Sequence, residues 1–215
     1  MTNLKTITLG ELARSGVLEL GDGYRTKRAE LGTPGLPILR VAEVFDGKIT
    51  PKFEDYVSEA FRPAMGLKIS QPHDIVLTTK GTVGRVAMIP ANAPEFVYSP
   101  QLCFFRVMPS GPVSARYLYY WFRSENFRSQ ARYRKNQTDM ADYINLADIR
   151  SLIVELPPTE VRDATTAVLG VLDDKIAANE RETEALASLR DMLLPKLMSG
   201  ELRVRDAEKV VEEAT

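Results

Sequence analysis

Leu156-Pro157-Pro158-Thr159-Glu160 divides the chain into two textures. The paired prolines stop whatever element precedes them, and Thr159, with Glu160 and Asp163 in the first turn, predicts a helix start. From Thr159 to Leu194 there is no proline and a single glycine, Gly170. Along this stretch Leu169, Leu172, Ile176, Asn179, Thr183, Leu186, Arg190 and Leu193 follow one another in alternating steps of 3 and 4. That is the spacing of a coiled-coil seam, and a small rotation of the helix would put Leu189 in place of Arg190. A helix of about 35 residues, at about 1.5 Å each, makes a rod about 50 Å long. The preceding body is too small to cover such a rod along all its length, so a second copy is the expected partner. A long surface helix packed on its own domain is the alternative. Asn179 and Thr183 reduce apolar burial but can fix register and orientation. Pro195 is expected to kink or end the helix, and Ser199-Gly200 to close the segment.

Upstream, residues 1–156 read as short strands between dense turn signals, including Gly32-Thr33-Pro34-Gly35, Asp46-Gly47, Gly81 and Gly84. Strand-type runs fall at Pro37–Val41, Asp74–Thr79, Arg85–Ile89 and Leu102–Val107. One segment departs from this: Ser114 can cap a helix running through Leu118, Trp121, Phe122 and Glu125, whose aromatics belong to the core. The fold class is therefore α+β. A strand-rich globular domain (1–156) precedes a long helix segment (157–204), and a charged, frayed tail (205–215) follows.

With 215 residues, 44% of them hydrophobic and 27% charged, the chain can bury a core without disulfides or metals. One cysteine, Cys103, and one histidine, His73, exclude an internal disulfide framework and a Cys/His zinc site. His73 lies in Gln71-Pro72-His73-Asp74 and reads as a turn residue, not a general base. Lys80-Gly81-Thr82-Val83-Gly84 lacks the Gly-Lys-Ser/Thr ending of a phosphate-binding loop and suffices as a turn between strands. Asp173-Asp174 reads as a solvated helix face. No catalytic constellation and no metal site emerge. The first residues lack the features of a signal peptide and no run approaches a membrane span, so a cytoplasmic protein is expected.

The net charge of -1 conceals an asymmetry. Residues 1–158 carry 20 Lys and Arg against 16 Asp and Glu, whereas residues 159–215 carry 8 against 13. A basic body favours an anionic partner. Two clusters stand out. Gln130 to Thr138 interleaves Arg132, Arg134 and Lys135 with Tyr133, Asn136 and Gln137, and Arg128 precedes it. Tyr24-Arg25-Thr26-Lys27-Arg28 follows Gly21 and Gly23. Arg and Lys suit phosphates and guanine edges, Asn and Gln suit adenine edges. Arg132, Arg134 and Lys135 are thus assigned to phosphates, Asn136 and Gln137 to bases. Arg25, Lys27 and Arg28 stand in reserve, and Lys80 comes third. A solvated basic loop is the bland alternative for either cluster.

Several phrases together resemble the specificity subunits of type I restriction–modification systems. They are Asp74-Ile75-Val76-Leu77-Thr78-Thr79-Lys80-Gly81-Thr82-Val83-Gly84-Arg85-Val86-Ala87, the junction Ile149 to Pro158, and Leu193-Leu194-Pro195-Lys196-Leu197-Met198-Ser199-Gly200-Glu201-Leu202-Arg203-Val204. Thr8-Leu9-Gly10-Glu11-Leu12 and Pro37-Ile38-Leu39-Arg40-Val41 also fit. His73 stands where that family usually has glycine. A full specificity subunit carries two recognition domains and two spacer helices, so this chain resembles half of one. The resemblance implies a target-recognition domain that reads a short element of double-stranded DNA, and a spacer helix that dimerises. It also implies partner methyltransferase subunits, with a translocase/nuclease subunit as a further partner. S-adenosylmethionine and ATP would be bound by those partners, with no cofactor in this chain. Dimerisation would use Leu169, Leu172, Ile176, Asn179, Thr183, Leu186 and Leu193. The competing expectation is a degenerate or truncated subunit that binds partners without specific DNA recognition.

Overall fold

The computed structural model describes residues 4–109, 111–134, 136–137 and 142–201, of which 136 and 137 are described in backbone only. The chain divides into two compact units, residues 1–166 and 167–215.

In the first unit, β1 (Lys5–Thr8) leads into α1 (Leu9–Arg14), and β2 (Leu18–Asp22) follows. The Thr8 hydroxyl accepts from the Glu11 amide at 3.1 Å, and the Glu11 carboxylate accepts from the Thr8 amide at 2.8 Å. This reciprocal cap turns the chain sharply from strand into helix. Next come β3 (Gly35–Leu39), the hairpin β4 (Val44–Phe45) and β5 (Lys48–Ile49), β6 (Tyr56–Ser58) and the single turn α2 (Arg62–Met65). The centre of the fold is β7 (Ile75–Thr78), β8 (Val86–Met88), β9 (Val97–Tyr98) and β10 (Leu102–Val107). Helices α3 (Ala115–Phe122) and α4 (Glu125–Arg134) follow, then β11 (Asn136–Gln137), β12 (Asp142–Tyr143), α5 (Leu146–Arg150) and β13 (Ile153–Leu156). The long helix α6 runs from Thr159 to Ser199.

The main sheet is antiparallel in the order β2-β10-β7-β8. Side chains alternate across it, and both faces are covered. Ile75, Leu77, Val86, Cys103 and Phe105 face a cluster built with α1, α3, α4, α5 and β13. Val76, Ala87, Leu102 and Phe104 face a second cluster with Leu39, Val44, Phe96 and Tyr98. A strand covered on both faces reads as an unbroken apolar run, which is why Ile75-Val76-Leu77 shows no polar alternation. Beside this sheet, β3 pairs antiparallel with β6 and parallel with β9, and β1 pairs with β13.

The strand runs beginning at Pro37, Asp74, Arg85 and Leu102 correspond to β3, β7, β8 and β10. His73 lies exposed in a turn at φ 66°. Ser114 caps α3, its Oγ accepting from the Tyr117 amide at 3.1 Å. That helix stops at Phe122, however. Ser124 Oγ donates to the Trp121 carbonyl at 2.7 Å and accepts from the Phe127 amide at 3.3 Å, so one serine closes α3 and opens α4. Pro195 does not end α6. Its missing N–H leaves one carbonyl unpaired on an exposed stretch, where water can serve, and the helix continues to Ser199.

In the second unit, α6 presents its apolar spacing unburied. Leu172, Ile176 and Leu186 are 50%, 53% and 51% exposed, Leu169 and Leu193 are half-buried, and Asn179 and Thr183 are exposed. Among the described residues no helix is long and apolar enough to cross a membrane.

Candidate nucleic-acid interface

The four strands of the main sheet finish level with one another at one end. Leu102 opens β10 opposite Thr78, the last residue of β7, and Cys103 lies opposite Asp22, the last of β2. Val86, the first of β8, lies opposite Leu77. Whatever follows β2 and β7 therefore gathers at this end, as does whatever precedes β8 and β10.

After β2, Gly23 donates to the Leu102 carbonyl at 3.0 Å, and a Cβ on it would lie 2.1 Å from the Ser99 carbonyl oxygen. Only glycine passes there, and Arg25 follows it as an exposed side chain. After β7, Lys80 is exposed at the start of the central turn. That turn is stitched to β12: Ile144 donates to the Thr79 carbonyl at 3.0 Å, and Gly81 to the Asp142 carbonyl at 3.2 Å. β12 in turn pairs with β11, Asn136 opposite Tyr143 and Gln137 opposite Asp142. A concavity of about 290 Å³ results, lined by Asp22, Arg25, Lys68, Lys80, Tyr143 and Asn145 among others.

The structure thus brings together Arg25, Lys80 and the backbone of Asn136–Gln137, which are far apart in sequence. It does not bring every candidate there. Lys27 and Arg28 are exposed at the 3-10 turn Arg28–Glu30 and do not line the concavity. Arg128, Arg132 and Arg134 belong to helix α4 and not to a loop. Arg132 pairs with Glu125, and Arg128 lies 4.0 Å from Asp46. Arg134 is a scaffold residue: its Nε donates to Ser151 Oγ at 2.8 Å and its Nη1 to the Gln130 carbonyl at 3.3 Å, tying α4 to the segment before β13. Lys135 lies outside the described residues.

Two cations were not singled out in the sequence. Lys68 donates from Nζ to the Gly23 carbonyl at 3.2 Å and lies 5.9 Å from the Tyr24 ring centre, placing its charge on the concavity wall. Arg85 ends the central turn and donates from Nη1 to the Val44 carbonyl at 3.3 Å. Arg85 stood inside a quoted motif, so its place at the turn's end was readable. Lys68 gave no local signal, because its position depends on a long-range approach to Gly23. The lone thiol, Cys103, is buried on β10, and burial pushes it up from its ordinary range. Among the described residues, no three His, Cys, Asp or Glu side chains gather as a metal site requires.

The sequence and the fold are similar to those of known proteins. The chain is 22% identical over 199 residues to the type I restriction enzyme MjaIX specificity subunit of Methanocaldococcus jannaschii, covering 91% of this chain and 45% of that protein. The fold is similar to that of the type I restriction–modification S subunit from M. genitalium, with a TM-score of 0.63 and 16% identity over 92% of this chain and 46% of that one. It is also similar to the HsdS subunit from Thermoanaerobacter tengcongensis, with a TM-score of 0.55 and 20% identity over 93% and 45%. The chain spans about half the length of these relatives. The model of the type I restriction modification DNA specificity domain matches residues 1–188, the sheet body and most of the helix alike, and the chain belongs to that family.

Proposed function

We propose that this chain is a non-catalytic DNA sequence-recognition module that directs partner methyltransferase subunits to a DNA site, and that it pairs with a second copy through α6. The observation that carries the reading is the sheet end, where Arg25, Lys68 and Lys80 line one concavity beside the β11–β12 hairpin. Cations there can hold phosphates, while Asn136 and Gln137 on β11 supply the amide chemistry that reads adenine. Arg25 and Lys80 have no carboxylate within ion-pair distance among the described residues, so DNA binding does not require breaking an internal pair.

The seam supports an antiparallel pair. Reversed about Arg181, Leu169 meets Leu193, Leu172 meets Arg190, Ile176 meets Leu186, and Asn179 meets Thr183. Every layer then joins one position of the 3,4 pattern to the other, and the two polar residues face each other. A parallel pair would set Arg190 against Arg190, like charges in one layer. Symmetric pairing buries the same surface on each copy.

The experiment is binding of the complex with its methyltransferase subunit to duplex DNA, measured over a range of salt. Arg25→Ala with Lys80→Ala should weaken binding to every duplex. It should also lower the slope of log affinity against log salt by about 0.9 per lost phosphate contact. Unchanged affinity and slope would remove the sheet end from the DNA interface. Partner binding with no DNA affinity in the unmodified complex would favour the degenerate-subunit reading instead.

A further inference from the structure

We propose that the β4–β5 turn is a second DNA-reading element, in which the Phe45 ring makes an apolar contact with a thymine C5-methyl group in the major groove. The proposal rests on the DNA-recognition reading above.

Val44 pairs with Ile49 and Phe45 with Lys48, so Asp46-Gly47 forms the turn between the strands. Alternation along β4 sends Val44 into the core at 0% exposure and Phe45 outward at 41%. An outward ring on so short a strand adds nothing to the core, yet it is held in place. The Arg85 guanidinium lies 5.5 Å from the centre of the Phe45 ring while its Nη1 bonds the Val44 carbonyl. The Gly47 amide donates to the Val86 carbonyl at 2.8 Å and so fixes the turn against the edge strand β8. Gly47 sits at φ 91°, and a Cβ on it would lie 3.4 Å from Arg123 Nη2. The turn's backbone at Gly47 thus lies close to a second guanidinium, and Arg128 lies 4.0 Å from Asp46.

The surroundings decide the partner. Lys48, Arg85, Arg123 and Arg128 lie about this turn beside its own acid, Asp46. On its other side Phe45 lines a concavity with Arg40, Lys52, Glu43 and Glu54, so cations outnumber acids around the ring. A protein partner for an exposed ring would present an apolar face, which such a rim of cations repels from burial. Duplex DNA offers what the patch offers in mirror form: phosphates along the groove edges, and thymine methyls on the major-groove floor. Because Val86 follows Arg85 at the level end of the sheet, this turn and the Lys80 concavity stand at the same end.

The test uses the complex with its methyltransferase subunit and the duplex it binds best from a randomised pool. Deoxyuridine replaces thymine at one position at a time, which removes the methyl group and leaves the hydrogen-bonding edge intact. The unmodified complex should lose about fourfold in affinity at one position, the worth of one buried methyl group. Phe45→Ala should bind the thymine and deoxyuridine duplexes equally at that position, with an unchanged salt slope. Phe45→Leu keeps an apolar side chain on the same hairpin and should retain part of the difference, which guards against a folding artefact. A thymine preference of the same size in Phe45→Ala, or no deoxyuridine-sensitive position in the unmodified complex, overturns the proposal. A complex that selects no sequence from the pool overturns the DNA-recognition reading itself, an outcome separable from loss of the methyl contact alone. A Phe45→Ala complex that fails to bind the methyltransferase would assign the ring to a protein interface and likewise overturn it.

Discussion

The Asp74 carboxylate is fully buried, and protein donors replace the solvent it has lost. Arg106 grips it with Nε on Oδ1 at 2.9 Å and Nη2 on Oδ2 at 2.8 Å, and the Tyr98 hydroxyl donates to Oδ2 at 2.7 Å. The Gln71 amide completes the set at 2.9 Å. Burial first, then the Asp74 charge, raises the Tyr98 phenol well above its ordinary range and keeps it a donor. Asp74 lies just before β7 and Arg106 near the end of β10, so the network pins the sheet at the end remote from Lys80. Removing one partner of such a pair leaves a buried charge unpaired. Arg106→Met should therefore cost about 3–5 kcal/mol, read as a lower urea midpoint at constant m-value. Asp74→Asn with Arg106→Met should recover part of that loss; a midpoint unchanged by the single substitution would show that the network contributes little. Cys103 provides a simpler check at the same scale. Its buried, upward-shifted thiol should resist iodoacetamide until denaturant exposes it, and rapid labelling of the folded protein would contradict the packing of β10.

At the scale of elements, α3 and α4 depend on two serines, Ser114 at the start of α3 and Ser124 between the two helices. Ser114→Ala removes the hydroxyl that accepts from the Tyr117 amide, and should cost about 1 kcal/mol in thermal or chemical unfolding. No measurable loss would mean that water satisfies that helix end equally well. Ser114 was legible in the sequence because capping acts locally, within three residues. The split at Ser124 was not, since Trp121, Phe122 and Phe127 lie on one continuous apolar pattern and only their packing in the core shows the chain turning between them. Nor does the basic run from Arg128 to Arg134 signal a helix in sequence. Its arginines outweigh the weak apolar stripe of Phe127 and Ala131 that buries the helix. Strands β7, β8 and β10 were legible because turn residues bracket them and their apolar runs are unbroken. The site was legible only in fragments. Arg25 and Lys80 stood out as charged residues near glycines, but their convergence comes from strand register, which no single segment encodes. Lys68 and Phe45 are ordinary residues in sequence, and only the approach to Gly23 and the outward face of β4 distinguish them.

For the molecule as a whole, the exposed apolar spacing of α6 is what the proposed pairing would cover. Ile176→Asp with Leu186→Asp places carboxylates in facing layers of the proposed pair and should give monomers by light scattering at tens of micromolar. The circular dichroism of the sheet body should stay unchanged. An unmodified protein that is already monomeric at that concentration, without its partners, would count against pairing through this helix. Such pairing would matter for recognition, because two copies present two reading surfaces to one duplex. The most direct measurement of the central claim is selection from a randomised duplex pool by the complex of this chain with its methyltransferase subunit, followed by sequencing of the bound fraction. Recognition by the sheet end predicts a shared two-part sequence in the unmodified complex, and reduced recovery of all duplexes when Arg25 and Lys80 are both alanine. Recovery of duplexes with no shared sequence would contradict it.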